Sequence, residues 1–166
     1  IKVASDTDAV ITRRRGGSAA NVAAVAAGIA GEARFIGQVG DDADGDRLIA
    51  ELACEGVDVS FVRHRGRSGK IAVLVDERGE RTMLTDIGAS RSLDHPDPAW
   101  LDDVDVLHVP FYSLALEPIA STATAVVEWA HERSVAVSVD LSSIALLEAL
   151  GERAVLAQLE RLRPTV

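Results

Sequence analysis

The residues best suited to chemistry in this chain form one hexapeptide, Gly16-Gly17-Ser18-Ala19-Ala20-Asn21, at the head of a small-residue run that reads as a helix to Ala30. Two glycines carry no Cβ, so their backbone amides can approach a ligand closely. Ser18 is suited to capping the helix, whose free N–H groups and positive dipole end favour oxygen-rich ligands. Asn21 falls in the first turn and carries both a donor and an acceptor. That set suits a neutral polyol, whose hydroxyls need both kinds of partner at short range. The competing reading is structural only: a tight strand-to-helix turn with a capping Asn. The hexapeptide is not a dinucleotide fingerprint, for it lacks G-x-G-x-x-G, and no Lys follows to make a Walker loop.

Three other groups invite chemistry. Arg13-Arg14-Arg15 reads as a solvated loop or as an attractor for an anionic group on a ligand. Asp41, Asp42, Asp44 and Asp46, with Glu51 in the closing position, suggest a calcium loop. The first ligand position of that loop is Gly40, however, and Asp46, Leu48, Ile49, Leu52 and Ala53 follow helical spacing. Asp42 is therefore read as the N-cap of a helix that Gly56 ends. Cys54 sits inside that helical pattern and is read as a buried small hydrophobe, not a nucleophile.

The elements that must position these residues follow in order. Lys2–Thr12 reads as an edge strand, Ala33–Val39 as a buried strand and Val57–Val62 as a short one. Gly69–Val75 and Arg81–Thr85 form a hairpin across a turn containing Gly79. Ile71, Val73 and Val75 share one face of the hairpin's first strand, and both faces are partly apolar. With Lys2–Thr12 and Val57–Val62 this hairpin is expected to make a small separate sheet. The later half alternates strand and helix: a helical turn at Pro98–Leu101, strand Val104–Val109, helix Ile119–Arg133, strand Val135–Val139 and a short helix to Leu150 capped by Ser142 or Ser143. A last helix spans Glu152–Leu162, before a strand-like stub at Arg163–Val166. Short apolar strands alternating with helices argue for a parallel sheet covered on both faces, with ligands bound beyond the strands' carboxyl ends. Gly40, Pro110–Tyr112 and Asp140 lie at such ends.

With 166 residues, 48% hydrophobic and 26% charged, the chain fits one globular domain or a piece of one. The net charge of −9 argues against a nucleic-acid partner. A lone cysteine, no signal peptide and no long apolar span point to a cytoplasmic protein without a membrane partner. Both ends read as cut from something longer.

Taken in order, Gly16–Asn21, Phe35-Ile36-Gly37-Gln38-Val39-Gly40-Asp41-Asp42 with Gly45, Gly56-Val57-Asp58, Val75-Asp76-Glu77-Arg78-Gly79-Glu80-Arg81-Thr82 and Gly88-Ala89 resemble the ribokinase-like, PfkB carbohydrate kinases over nearly the whole chain. The resemblance implies an α/β fold: a three-layer parallel sheet covered by helices, with a small β-sheet lid. Residues 1–166 would be an incomplete domain of this kind, with lid strands near 2–12 and 57–85 and an α/β core from 16–56 and 86–166. The implied activity is phosphoryl transfer from ATP, with magnesium, to a sugar or nucleoside alcohol. Matched residue by residue, Gly17 and Asn21 contact sugar hydroxyls and Gly16 shapes the turn. By strand position Ile71 and Val73 are candidates to close over the sugar from the lid, and Asp140 and Tyr112 are further candidate contacts at strand ends; core or turn roles are the competing reading for these four. The lid strands could also pair two subunits into a homodimer.

The departures matter as well. The substrate-gripping Asp of the family's first strand, the G-A-G-D signature with its catalytic base, the ATP-binding strands and the N-x-x-E magnesium motif do not occur in these 166 residues. Ser142 and Ile144 stand where many relatives carry Asn and Arg after the strand-end Asp, and Ser90 replaces the Asn frequent after Gly-Ala. No catalytic or metal-ligating residue is therefore assigned. The remaining alternative is a non-catalytic polyol-binding or assembly module; a nicotinamide oxidoreductase half is disfavoured by the missing fingerprint.

Overall fold

The computed structural model describes residues 6, 8–141 and 143–166. The first helix, α1 (Ser18–Ala30), is followed by β1 (Gly37–Val39), α2 (Ala43–Cys54) and β2 (Val62–His64). The hairpin is β3 (Lys70–Val75) and β4 (Arg81–Asp86), and 3-10 turns follow at Gly88–Ser92 and Pro98–Leu101. The later half comprises β5 (Val106–Pro110), α3 (Tyr112–Ala115), α4 (Ile119–Glu132), β6 (Ala136–Asp140), α5 (Ile144–Leu150) and α6 (Glu152–Leu162).

Among the described residues the strands form three pairs: β1 with β2 parallel, β5 with β6 parallel, and β3 with β4 antiparallel. Successive side chains of a strand point to opposite faces. On β6, Val137 packs with Val126, Val127 and Ala130 of α4, whereas Asp140 reaches Ser18 of α1. Helices therefore cover both faces of the β5–β6 pair, giving the layered α/β arrangement. The larger core gathers Trp100, Leu101, Phe111, Val127 and Val137, all at most 3% exposed. Each such large apolar side chain contributes about 1.5–3 kcal/mol by leaving water. A second cluster seats Ala20, Ala23 and Ala27 of α1 against Leu52 and Val57.

Several expected boundaries move. Residues 8–12 form no strand, and Val10 and Ile11 are more than nine-tenths exposed; the remainder of the expected Lys2–Thr12 strand falls largely outside the described residues. Here Arg13 pairs with Asp44 and Arg15 with Glu55, so the segment is drawn onto α2 and not onto a strand. The strand expected at Val57–Val62 starts at Val62 and pairs in parallel with β1, so it joins the α/β layer and not the small sheet. That leaves the hairpin on its own, with every residue of both strands exposed. Cys54 is exposed, not buried: Leu52 takes the inward position at the end of α2. Ser143 caps α5, accepting from the Leu146 amide at 3.4 Å, and Ser142 lies outside the described residues. The expected stub at the C-terminus runs beside β6, with the Val139 amide donating to the Val166 carbonyl at 2.9 Å.

Asp42 caps α2 as expected and does more. Its Oδ1 accepts from the Gly45 amide at 2.9 Å and from Ser68 Oγ at 2.7 Å, and its Oδ2 accepts from the Ser68 amide at 2.8 Å. Ser68 Oγ in turn accepts from the Gly40 amide at 3.0 Å. A Cβ on Gly40 would lie 2.1 Å from the Ser68 nitrogen, and one on Gly45 2.1 Å from the Gly40 oxygen, so both positions require glycine. This node joins the end of β1, the start of α2 and the entry to β3.

Two predictions follow from it. Ser68→Ala leaves the Gly40 amide without its acceptor in a 1% exposed position, and should destabilise the chain by about 1–3 kcal/mol in urea unfolding. The Ser68 amide and hydroxyl, with the Gly45 amide, hold the Asp42 carboxyl down to about 2 from the ordinary 3.8. The node's contribution is thus complete above about pH 4 and is lost as pH falls toward 2. Asp42→Asn should therefore flatten the acid limb of the stability–pH profile in that window while leaving the profile at neutral pH parallel.

Candidate active site

Gly17 precedes α1 with φ 102°, a backbone conformation that L side chains rarely adopt, and it turns the chain into the helix. The expectation that Ser18 caps the helix is not met. Gly17 occupies the cap position, with no side-chain cap bond, and its carbonyl accepts from the Asn21 amide at 3.0 Å. Ser18 is instead the first helical residue, and its Oγ donates to Asp140 Oδ2 at 3.1 Å. Residues 122 positions apart thereby bring the mouth of α1 to the carboxyl end of β6. The amides of a helix's first turn have no intrahelical acceptor and are open to an oxygen-bearing ligand. No atom lies within 4 Å of where a Cβ on Gly16 would stand, so the bend borders open space.

Asn21 is exposed on the first turn, and its Oδ1 accepts from Arg15 Nη1 at 2.9 Å. Arg15 continues to Glu55 Oε2 at 2.8 Å. The arginine run is thus divided: Arg13 and Arg15 turn to carboxylates on α2, and no ligand is needed to hold them. At the ends of the later strands, the Phe111 amide donates to the Asp140 carbonyl at 2.8 Å, and Phe111 is fully buried. Tyr112, the next residue, is 49% exposed beside this junction.

Of the expected site residues, Gly16, Gly17 and Asn21 stand at the mouth of α1, which Ser18 joins to Asp140, and Tyr112 follows Phe111, whose amide meets the Asp140 carbonyl. Ile71 and Val73 lie on the hairpin. These two share a face of β3 opposite Thr85 and Met83, 49% and 45% exposed. The base of the hairpin is held by polar contacts, Lys70 to Asp44 at 2.9 Å and Arg67 to Asp86 at 2.6 Å. The link between Ser18 and Asp140 has no signal in the sequence, since a Ser after Gly-Gly reads first as a cap. Arg15's turn toward Asn21 is equally hidden within a run of three like residues.

A cleft of about 450 Å³ lies elsewhere, lined by Gln38, Arg63, His64, Arg65, Asp94 and His95. Its guanidinium groups are engaged within the chain. Arg63 donates to the carbonyls of Asp94 and His95 and lies over the Trp100 ring at 5.1 Å, and Arg65 pairs with Asp94 at 3.4 Å. These contacts brace the loop after Gly88–Ser92 and share no residue with the Gly17–Asp140 junction. Among the described residues, no three acidic, His or Cys side chains are grouped to hold a metal ion. Asp42 and Asp44, from the acidic run, are occupied by Ser68, Gly45, Lys70 and Arg13.

Comparison with known proteins agrees with this architecture. The chain is 35% identical over 141 residues to an ATP-dependent ribose-1-phosphate kinase of Halopiger xanaduensis, covering 82% of this chain and 46% of that protein. It is 36% identical over 123 residues to a fructokinase of Klebsiella pneumoniae, covering 68% of this chain and 38% of that protein. The chain thus spans less than half the length of these relatives. Its fold matches the crystal structure of adenosine kinase from Sinorhizobium meliloti with a TM-score of 0.77 at 24% identity, over 87% of this chain and 45% of that one. The family model for pfkB family carbohydrate kinases matches residues 3–159. With that match across nearly its whole length, and with the glycine bend delivered to the carboxyl ends of parallel strands, the chain belongs to the pfkB family of carbohydrate kinases.

Proposed function

We propose that this chain is the substrate-binding and lid portion of an ATP-dependent kinase that phosphorylates an alcohol of a sugar or nucleoside. The hydrogen bond from Ser18 to Asp140 supports the reading, because it joins the mouth of α1, where first-turn amides lack intrahelical acceptors, to a carboxylate at a strand end. Such a set recognises hydroxyls without a fixed counter-charge. In this reading Gly16 and Gly17 cradle the sugar, Asn21 and Asp140 bond its hydroxyls, and Tyr112 borders it. The hairpin β3–β4 is the lid, with Ile71 and Val73 closing over the sugar and excluding water, which otherwise competes as phosphoryl acceptor. The opposite face of the hairpin, including Leu74 at 37% and Leu84 at 60% exposure, is then available to pair with a second subunit. ATP supplies the phosphoryl group and magnesium its charge neutralisation; both are assigned, with the proton-accepting carboxylate, to the remainder of a complete kinase working in the cytoplasm.

Three outcomes test the reading. Asn21→Ala should weaken sugar binding by about 1–3 kcal/mol, measured by calorimetry across a panel of sugars and nucleosides, with the melting temperature unchanged. Unchanged affinity would return Asn21 to a purely structural role. The 166-residue chain should bind without turning over ATP, so sugar-dependent ATP consumption by it contradicts the division of labour proposed. A dimer through the lid should appear in sedimentation of the complete protein and be lost on Leu84→Lys; a monomer removes it.

A further inference from the structure

Arg15 pairs its charge with Glu55, and that pairing does not account for its second contact, with Asn21. It stands in an exposed segment, yet its side chain is only 14% exposed. Its Nη1 and Nη2 are spent on Asn21 and Glu55, while its Nε is buried with no partner among the described residues. A surface arginine free to satisfy itself would keep all its N–H groups in water, and an unpaired buried donor opposes folding. What the inward placement does accomplish is to fix the Asn21 carboxamide. A guanidinium can only donate, so the carbonyl oxygen of Asn21 must face it. The amide's –NH₂ is the end left without a partner among the described residues.

We infer that Arg15 is a positioning residue that sets the polarity of the ligand site: it holds Asn21 as a donor, toward a hydroxyl oxygen, while Asp140 supplies the acceptor. This rests on the sugar-site reading above and refines it. A side chain of mixed character becomes a one-way partner, and the site acquires a donor at α1 and an acceptor at β6. A ligand then needs one oxygen that accepts at the Asn21 side and one hydroxyl that donates at the Asp140 side, as neighbouring alcohols of a polyol do. Glu55, half-exposed at the end of α2, keeps the guanidinium from rotating away.

Two variants and one ligand-free measurement test this in the chain itself, with D-ribose, D-fructose and adenosine as probes. Asn21→Asp keeps an oxygen for Arg15 and strengthens that pairing, but removes both N–H donors; it should lose affinity at least as far as Asn21→Ala does, about tenfold or more. Retained binding by Asn21→Asp would overturn the assignment of Asn21 as a donor. Arg15→Ala should weaken binding about tenfold. In the ligand-free chain, side-chain ¹⁵N relaxation should show the Asn21 amide as rigid, and as mobile in Arg15→Ala. An amide equally mobile in both would overturn the positioning role whatever the ligand results. If none of the probes binds the unaltered chain, the sugar-site reading fails, and the relaxation comparison still decides whether Arg15 orients Asn21.

Discussion

The placement of α1 is fixed where its mouth meets the carboxyl end of β6, and the hydrogen bond between Ser18 and Asp140 marks that meeting point. One such bond, to a charged acceptor, contributes about 1.5–3 kcal/mol and could not hold two elements together unaided. It can form because each side is already placed. The alanine face of α1 is buried against Leu52 and Val57, and β6 is anchored by Val137 in the larger core. Small residues are what the helix needs there: they let its backbone lie close to the layer beneath, so its first turn arrives within reach of a strand-end carboxylate.

The opposite side of α1 is different. Val22, Val25 and Ile29 are 38%, 62% and 83% exposed at helical spacing. The hairpin likewise shows apolar side chains on both faces, and what ties it to the rest is polar: Asp44 to Lys70, Arg67 to Asp86 and the Ser68–Asp42 node. Exposed ion pairs stabilise little; the buried contact at the hairpin's base is that of Ser68 with Asp42.

Charge in this chain is mostly local bracing. Of the clustered cations, Arg13 and Lys70 meet Asp44, Arg15 meets Glu55, and Arg63 and Arg65 meet residue 94. Asp44 and Asp86 are held below the ordinary carboxylate range, chiefly by hydrogen bonds from Lys70 and Arg67 respectively. Of the acidic run that suggests a cation loop on paper, Asp42 and Asp44 are held by the helix cap, the hairpin's base and the N-terminal segment.

Much of this was legible in the residues alone, because it depends on local rules. The glycine bend, the alanine helix, the Asp42 cap, the hairpin about Gly79 and the alternation of β5, α4, β6 and the last two helices follow from turn chemistry and periodicity. These interactions reach only a few residues along the chain. The strand starting at Val62, the absence of a strand over residues 8–12 and the exposure of Cys54 did not follow, since strand and burial depend on a partner supplied from far away. The same holds for the site. Sequence determined which groups are present and that Gly17 must bend; only the tertiary structure decided that Ser18 reaches Asp140 and that Arg15 turns inward to Asn21. A hydroxyl or guanidinium has several possible partners of equal chemistry, and packing of distant elements selects among them.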